Sequence, residues 1–355
     1  MKAQLFLVIA VVQAIFFVLL VALIMVSRAR RTLAGRAHDA SGAQVALAFT
    51  RWLLGEADVD DVLSALRRAP PAVALEETLE ALARRVPPES RDVLVQQLRR
   101  EGWIQDLIGL ARHRAWWDRL AAARTLAAAG TTIDRELLRH LLADRHPAVQ
   151  VAATAALERI ADREIVEGVL DQLVDRPLVV RQIQMSALLR TRAYTIPALL
   201  ERLVPGSPAP LLEVWLALAD RTADPAAIHA SAALAGHPDP LVRLAVARAM
   251  RHYFDARVHA TLGALLLDTD WRVRAAACRT AGSLGDPAFI TTLGAGVGDP
   301  AWWVRFRAAL ALAQLGEEGR RVLREARSGS DRFARDMATM VSGLSDGGIL
   351  ELAES

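Results

Sequence analysis

Asp268-Thr-Asp-Trp-Arg-Val-Arg274, running on to Ala277, returns 31 residues later as Asp299-Pro-Ala-Trp-Trp-Val-Arg305, running on to Ala308-Ala309. The shared frame is an Asp, four variable positions, then Val-Arg and small residues. The front half recurs as Asp175-x4-Val180-Arg181, and as Asp144-x4-Val149-Gln150 with Gln replacing Arg. Anchoring on the Arg position gives Arg119, Gln150, Arg181, Glu213, Arg243, Arg274 and Arg305, at intervals of 31, 31, 32, 30, 31 and 31. A fixed period of this length is the mark of a repeat architecture. Weaker copies lie at Arg91, spaced from Gly102 as Arg119 is from Gly130, and around Asp336.

Each repeat reads as two helices. Asp224-Pro225 and Asp286-Pro287 are N-cap and N1 signals for a first helix. Asp239-Pro240, His146-Pro147 and Asp270 before Trp271 open second helices in the same way. Apolar residues then recur at helical spacing, as in Val304, Ala308, Leu312 and Leu315. A helix pair this small cannot bury its own apolar face, so neighbouring pairs must stack. The predicted fold is all-α: an α-solenoid of helix pairs over 89–342, with a helical N-terminal cap at 41–88 and a frayed C-terminal tail at 343–355.

The Asp-x4-Val-Arg frame resembles the HEAT-like repeats of bacterial proteins of the phycobilisome-lyase type. That resemblance implies an Asp/Arg ladder between repeats, with Asp144, Asp175, Asp268 and Asp299 as acceptors and Arg119, Arg181, Arg243, Arg274 and Arg305 as donors. Glu213 breaks the ladder, beside the stretched turn Pro205-Gly-Ser-Pro-Ala-Pro210. The resemblance also implies interaction rather than catalysis. Relatives with such repeats include tetrapyrrole (bilin) lyases, nucleic-acid-binding glycosylases and an iron-dependent hydroxylase. None of the eight His residues is followed by Glu, so the His-Glu pairs of that hydroxylase are missing.

The chain has 355 residues, 53% of them hydrophobic and 5% aromatic, with a mean hydropathy of +0.23. This excludes a disordered protein. One cysteine, Cys278, excludes an intrachain disulfide framework and any Cys-x-x-Cys site. Ala3–Val26 is a run of 24 residues without charge, long enough to span a bilayer. Arg28, Arg30, Arg31 and Arg36 follow it, whereas Lys2 alone precedes it, so the positive-inside rule places the N-terminus outside and the rest in the cytoplasm. The expected organisation is a transmembrane anchor at 1–27, a basic linker at 28–40, and repeats at the cytoplasmic face of the inner membrane. Beyond residue 31 the chain carries 39 basic and 40 acidic side chains. A body with that balance lacks the net attraction to phosphates that drives non-specific nucleic-acid binding.

No constellation supports a cofactor or metal. His38-Asp39 lies in the linker, and His113, His140 and His146 fit helix ends better than a metal site. Gly294-x-Gly296-x-Gly298 has no preceding strand and reads as close helix packing, and Cys278 reads as a core thiol. The surface candidates are Trp and Arg. In Trp116-Trp117 and Trp302-Trp303 the neighbours point about 100° apart, so one of each pair is expected at the surface. Arg124, Arg248 and Arg279 each lie five residues after a ladder position and form one stripe. Trp117, Arg124, Arg248, Trp271, Arg279, Trp303 and Arg307 are therefore the predicted partner-binding residues, Trp and Arg being the residue types enriched in interface hot spots. The predicted function is a membrane-anchored scaffold for a protein partner, without cofactor, the alternative being a bilin lyase-like enzyme.

Overall fold

A computed structural model describes residues 39–253 and 255–354. The apolar stretch 3–26 and the arginines after it lie outside the described residues; among the described residues no helix is long and apolar enough to cross a membrane. Every regular element described is helical. The chain divides into two units, one ending at Arg159 and the other beginning at Ile160.

The first unit opens with helix α1 at 39–53, then α2 (Val59–Arg68), α3 (Pro71–Glu80) and a π turn (Ala81–Arg85). These helices lie off the repeat frame. The next helices are α4 (Pro88–Arg100), α5 (Trp103–Gly109), α6 (Trp116–Ala129), α7 (Arg135–Leu142) and α8 (Pro147–Thr154), with the short α9 (Leu157–Ile160) at the division.

In the second unit, first helices are α10 (Arg163–Gln172), α12 (Arg192–Arg202), α14 (Pro225–Ala232), α16 (Ala256–Leu265), α18 (Ile290–Gly296) and α20 (Gly316–Ser328). Second helices are α11 (Leu178–Arg190), α13 (Ala209–Thr222), α15 (Pro240–Ala249), α17 (Trp271–Leu284), α19 (Trp302–Gln314) and α21 (Arg332–Ser342). Each second helix packs on the next, and first helices pack on first helices, so this unit has two layers. The predicted caps are present: Asp224, Asp239 and Asp270 accept from Ala226, Leu241 and Arg272 N–H.

The repeat frame is explained by burial. Its Val position is inaccessible at Val149, Val180, Val242, Val273 and Val304, and the residue one turn on is buried at Ala153, Ala277 and Ala308. Each Val is worth about 1.5–3 kcal/mol of hydrophobic burial. Packing between α17 and α19 is tightest at Gly282, where a Cβ would lie 2.9 Å from the Ala311 Cα. Gly285 ends α17 in the left-handed region, at φ 71°, which glycine adopts without steric cost.

The Arg position of the frame works as a fork. Arg243 donates from Nε and Nη2 to the Asp268 carboxylate at 2.7 and 2.8 Å, and from Nη1 to the carbonyls of His237 and Pro238 at 2.8 and 3.1 Å. Arg274 does the same with Asp299 at 2.8 and 2.9 Å and the carbonyls of Asp268 and Thr269. In the first unit, Arg119 pairs with Asp144 at 2.5 and 3.0 Å and with the carbonyls of His113 and Arg114. The acceptor always lies 25 residues ahead, and its Oδ1 also takes an N–H two residues further on, from His146, Asp270 or Ala301.

That rule corrects the ladder read from sequence. Asp175 is no rung, because its donor position holds Gln150, whose amide turns to the Asp144 carbonyl instead. Arg181 and Arg305 find Gly206 and Ser330 where an acceptor would stand. Arg181 keeps backbone bonds to Val174 and Arg176. Arg305 keeps the carbonyls of Asp299 and Pro300 and lies 4.9 Å over the Phe333 ring. The described part of the expected frayed tail at 343–355 is ordered: α22 (Asp346–Glu354) packs on α19 with Ile349 buried.

The rungs set two expectations. Removing one member of a buried pair strands the other, which costs about 3–5 kcal/mol. Arg243→Ala should therefore lower stability by about 3 kcal/mol in denaturant titration, whereas Arg181→Ala, which forfeits hydrogen bonds to two backbone carbonyls and strands no carboxylate, should cost under about 2 kcal/mol. Burial would raise the Asp268 carboxyl, but the Arg243 fork and the Asp270 N–H outweigh it and hold it below the ordinary carboxylate value. A depressed folded-state value gives stability that is present above the unfolded value near pH 4 and is lost as pH falls through the lowered one. The gap in melting temperature between wild type and Asp268→Asn should therefore narrow as pH falls from about 5 toward 2.5.

Candidate interaction groove

Along α15, α17 and α19, successive residues turn by about 100°. Residues two or five places after the ladder Arg, or two before it, thus point about 140–200° away from the rung. Arg248, Arg279, Arg307 and Trp303 occupy these positions. Together with Trp271 they line one groove of the second unit, with a volume of about 780 Å³. Five of the seven predicted partner residues therefore meet in one place. Leu244, Ala275, Ala276 and Thr280 also line the groove, as do Leu350 and Ala353 of α22.

The two remaining candidates do not join them. Arg124 sits in the first unit, where Arg91, Arg124 and Arg159 rim a separate groove of about 710 Å³ lined by Leu79, Leu82, Leu120 and Val151. Trp117 lines neither groove. One Trp of each pair is expected at the surface; both members of each pair are exposed. Trp116 and Trp117 are 39% and 61% exposed, Trp302 and Trp303 44% and 50%. Each pair opens a second helix, in its first turn. Trp116 stacks on the His146 ring at 4.0 Å; Trp302 stacks on Phe306 at 5.0 Å and meets Trp303 edge-on at 4.8 Å.

The groove is electropositive in a particular way. Arg251 forks onto Asp220 at 2.9 and 2.6 Å, and Arg272 onto Asp270, whose carboxyl is held down at about 2 mainly by that guanidinium. Neither Arg248 nor Arg307 has a carboxylate partner among the described residues. Arg248 is exposed, and Arg307 donates to the neutral Leu352 carbonyl at 2.7 Å. Burial, then the charges of Arg251 and Arg248, push the Arg279 guanidinium below its ordinary value; burial and then Arg279 do the same to Arg307. The ladder arginines shift the opposite way because each is held by an Asp.

Sequence reasoning missed Arg251, Arg272 and α22 at this groove. It also missed a second set of rungs along the first helices: Arg192–Asp224 at 3.4 Å, His229–Asp255 at 2.6 Å and His259–Asp286 at 3.0 Å. Asp224 and Asp286 were legible only as helix caps; all three Asp residues serve both roles. Among the described residues no group of three or more His, Cys, Asp or Glu could hold a metal ion. His113 pairs with Asp118 and His146 caps α8; His38 lies outside the described residues. Gly296 lets α19 approach, since its Cβ would stand 3.1 Å from that of Ala308.

Residues 259–342 match the HEAT repeats family. No curated protein matches the chain. Among solved structures, human deoxyhypusine hydroxylase in complex with glycerol is similar at 19% identity and a TM-score of 0.31, over 69% of this chain and 98% of that one. An engineered protein is similar at 17% identity and a TM-score of 0.36, over 88% of this chain and 99% of that one. Likenesses this loose assign no chemistry here; the match to HEAT repeats covers residues 259–342, and the helix pairs of the second unit before it share the same two-layer packing.

Burial pushes the Cys278 thiol up to about 12. With the thiolate suppressed and the sulfur enclosed, Cys278 should resist a thiol-reactive disulfide reagent for hours in buffer at about pH 8 and react at once in denaturant. Prompt labelling of the folded protein would show an open thiol.

Proposed function

We propose that this protein is a membrane-anchored scaffold that binds a protein partner rather than a catalyst. The apolar stretch 3–26 is its single span, the N-terminus lies outside, and the repeats sit at the cytoplasmic face of the inner membrane. The observation that carries the reading is the convergence of Arg248, Trp271, Arg279, Trp303 and Arg307 on one groove. Stacked helix repeats offer extended surfaces of this kind, and buried or half-buried Trp and Arg dominate interface energetics. The partner is a membrane-associated enzyme or assembly, since tethering raises the effective concentration of the groove toward neighbours in the same bilayer.

The test compares wild type with Trp303→Ala/Arg279→Glu, both full length and purified from crosslinked, detergent-solubilised membranes. Both changed residues face the groove, so helicity is expected to stay the same and the melting temperature to fall by no more than about 2–4 °C. A membrane protein recovered with wild type should be depleted from the double variant. A large loss of melting temperature would assign these side chains to the fold instead.

A further inference from the structure

The groove of the first unit, about 710 Å³ in volume, has a different lining. The rung from Arg119 to Asp144 fixes one side of α6, and Arg124, five residues on, turns about 140° away from it. On that side Leu79 of α3, Leu82 of the π turn, Leu120 of α6 and Val151 of α8 line the groove; all its other lining residues are alanines and three arginines, Arg91, Arg124 and Arg159. Two of these arginines also have partners in the chain. Arg91 donates from Nη2 to the Val86 carbonyl at 3.4 Å, and Arg159 stands 3.7 Å from the Asp92 carboxylate. The buried Nε of Arg91 makes no hydrogen bond among the described residues. Neither Asp92, Glu158 nor any other acidic residue lines the groove.

Every polar side chain of this lining is thus a guanidinium, which donates hydrogen bonds and accepts none, and every other side chain is aliphatic. The occupant that matches has an apolar body without N–H groups of its own and an anionic end. An extended peptide matches poorly, because its backbone N–H groups would be buried against side chains that cannot accept from them. The volume lies within the range of small-molecule sites, about 300–1,000 Å³. We propose that this groove binds a long-chain fatty acid, its alkyl chain against the Leu, Val and Ala side chains and its carboxylate held by the arginines of the lining. Guanidinium–carboxylate forks supply the polar end, and removal of the alkyl chain from water supplies most of the affinity. The site belongs to the first unit alone and goes beyond the scaffold reading, whose groove lies in the second unit.

The experiment places the full-length protein in phosphatidylcholine nanodiscs with a palmitic acid analogue that carries a diazirine in its alkyl chain. Adducts formed on irradiation are mapped by peptide mass spectrometry. Wild type should be labelled in α6 and α8, and excess palmitate should suppress the labelling, whereas hexadecanol, which has the same chain and no charge, should not. Ala152→Phe, which fills the groove, and Arg124→Glu/Arg159→Glu, which reverses its charge, should each reduce the adducts at least fivefold. Arg67→Glu/Arg68→Glu, the same charge change on exposed residues of α2, should leave them within twofold. The two groove variants act by different routes, so if circular dichroism shows that one has lost its fold, the other decides. Labelling spread evenly over the chain, suppression by hexadecanol as strong as by palmitate, or unchanged labelling in a folded groove variant would each overturn the proposal. Suppression by an amphipathic Leu/Glu helical peptide at lower concentration than palmitate would assign the groove to a partner helix instead.

Discussion

The fork between an arginine and an aspartate 25 residues ahead fixes much of this structure. One guanidinium closes the turn before its own helix through two carbonyls and reaches the next repeat's turn through a carboxylate. The same carboxylate then takes the N–H two residues beyond it, so a single pair ties three backbone segments together. Charges held this closely are favourable only because nearly every donor is satisfied. The buried Val beside each Arg supplies the hydrophobic part of the same junction. One turn of sequence thus specifies both the seam between helix pairs and its register.

Fixing one side of each second helix to the ladder leaves the opposite side open to a different pattern. On α15, α17 and α19 that side carries a row of arginines, one per repeat, beside half-exposed Trp rings. The contrast between the two sides is the main functional signal. Ladder guanidinium groups are driven up in pKa by their aspartates, whereas Arg279 and Arg307 are driven down by burial and by neighbouring arginines. On the proposed reading a protein partner covers this surface.

The period and the helix pairs were legible because burial of Val and the Asp-Pro caps repeat at fixed spacing. The stripe was legible for the same reason: Arg248 and Arg279 share one offset from the ladder. Individual rungs were harder to read. Asp175 and Arg305 fit the local frame, yet a rung depends on what stands 25 residues away, and there Gln150 and Ser330 decide against it. For the paired Trp residues, helical periodicity required only one ring of each pair at the surface, and both are exposed. Gly347-Gly348 hid α22, whose order comes from Ile349 burying itself and from Arg307 across the groove. The first-helix rungs escaped notice because Asp224 and Asp286 already had a role as caps.

The central claim is that a partner sits against the Trp and Arg side of the second unit. Site-specific photocrosslinking in intact membranes tests it most directly, with p-benzoylphenylalanine placed at Trp271, at Trp303, or at the strongly exposed Ile133 of the first unit. The account predicts one discrete protein adduct shared by the two groove positions, absent at Ile133, and lost when Arg248 and Arg279 are reversed to Glu. The same adducts at Ile133, or none at either Trp position, would contradict it.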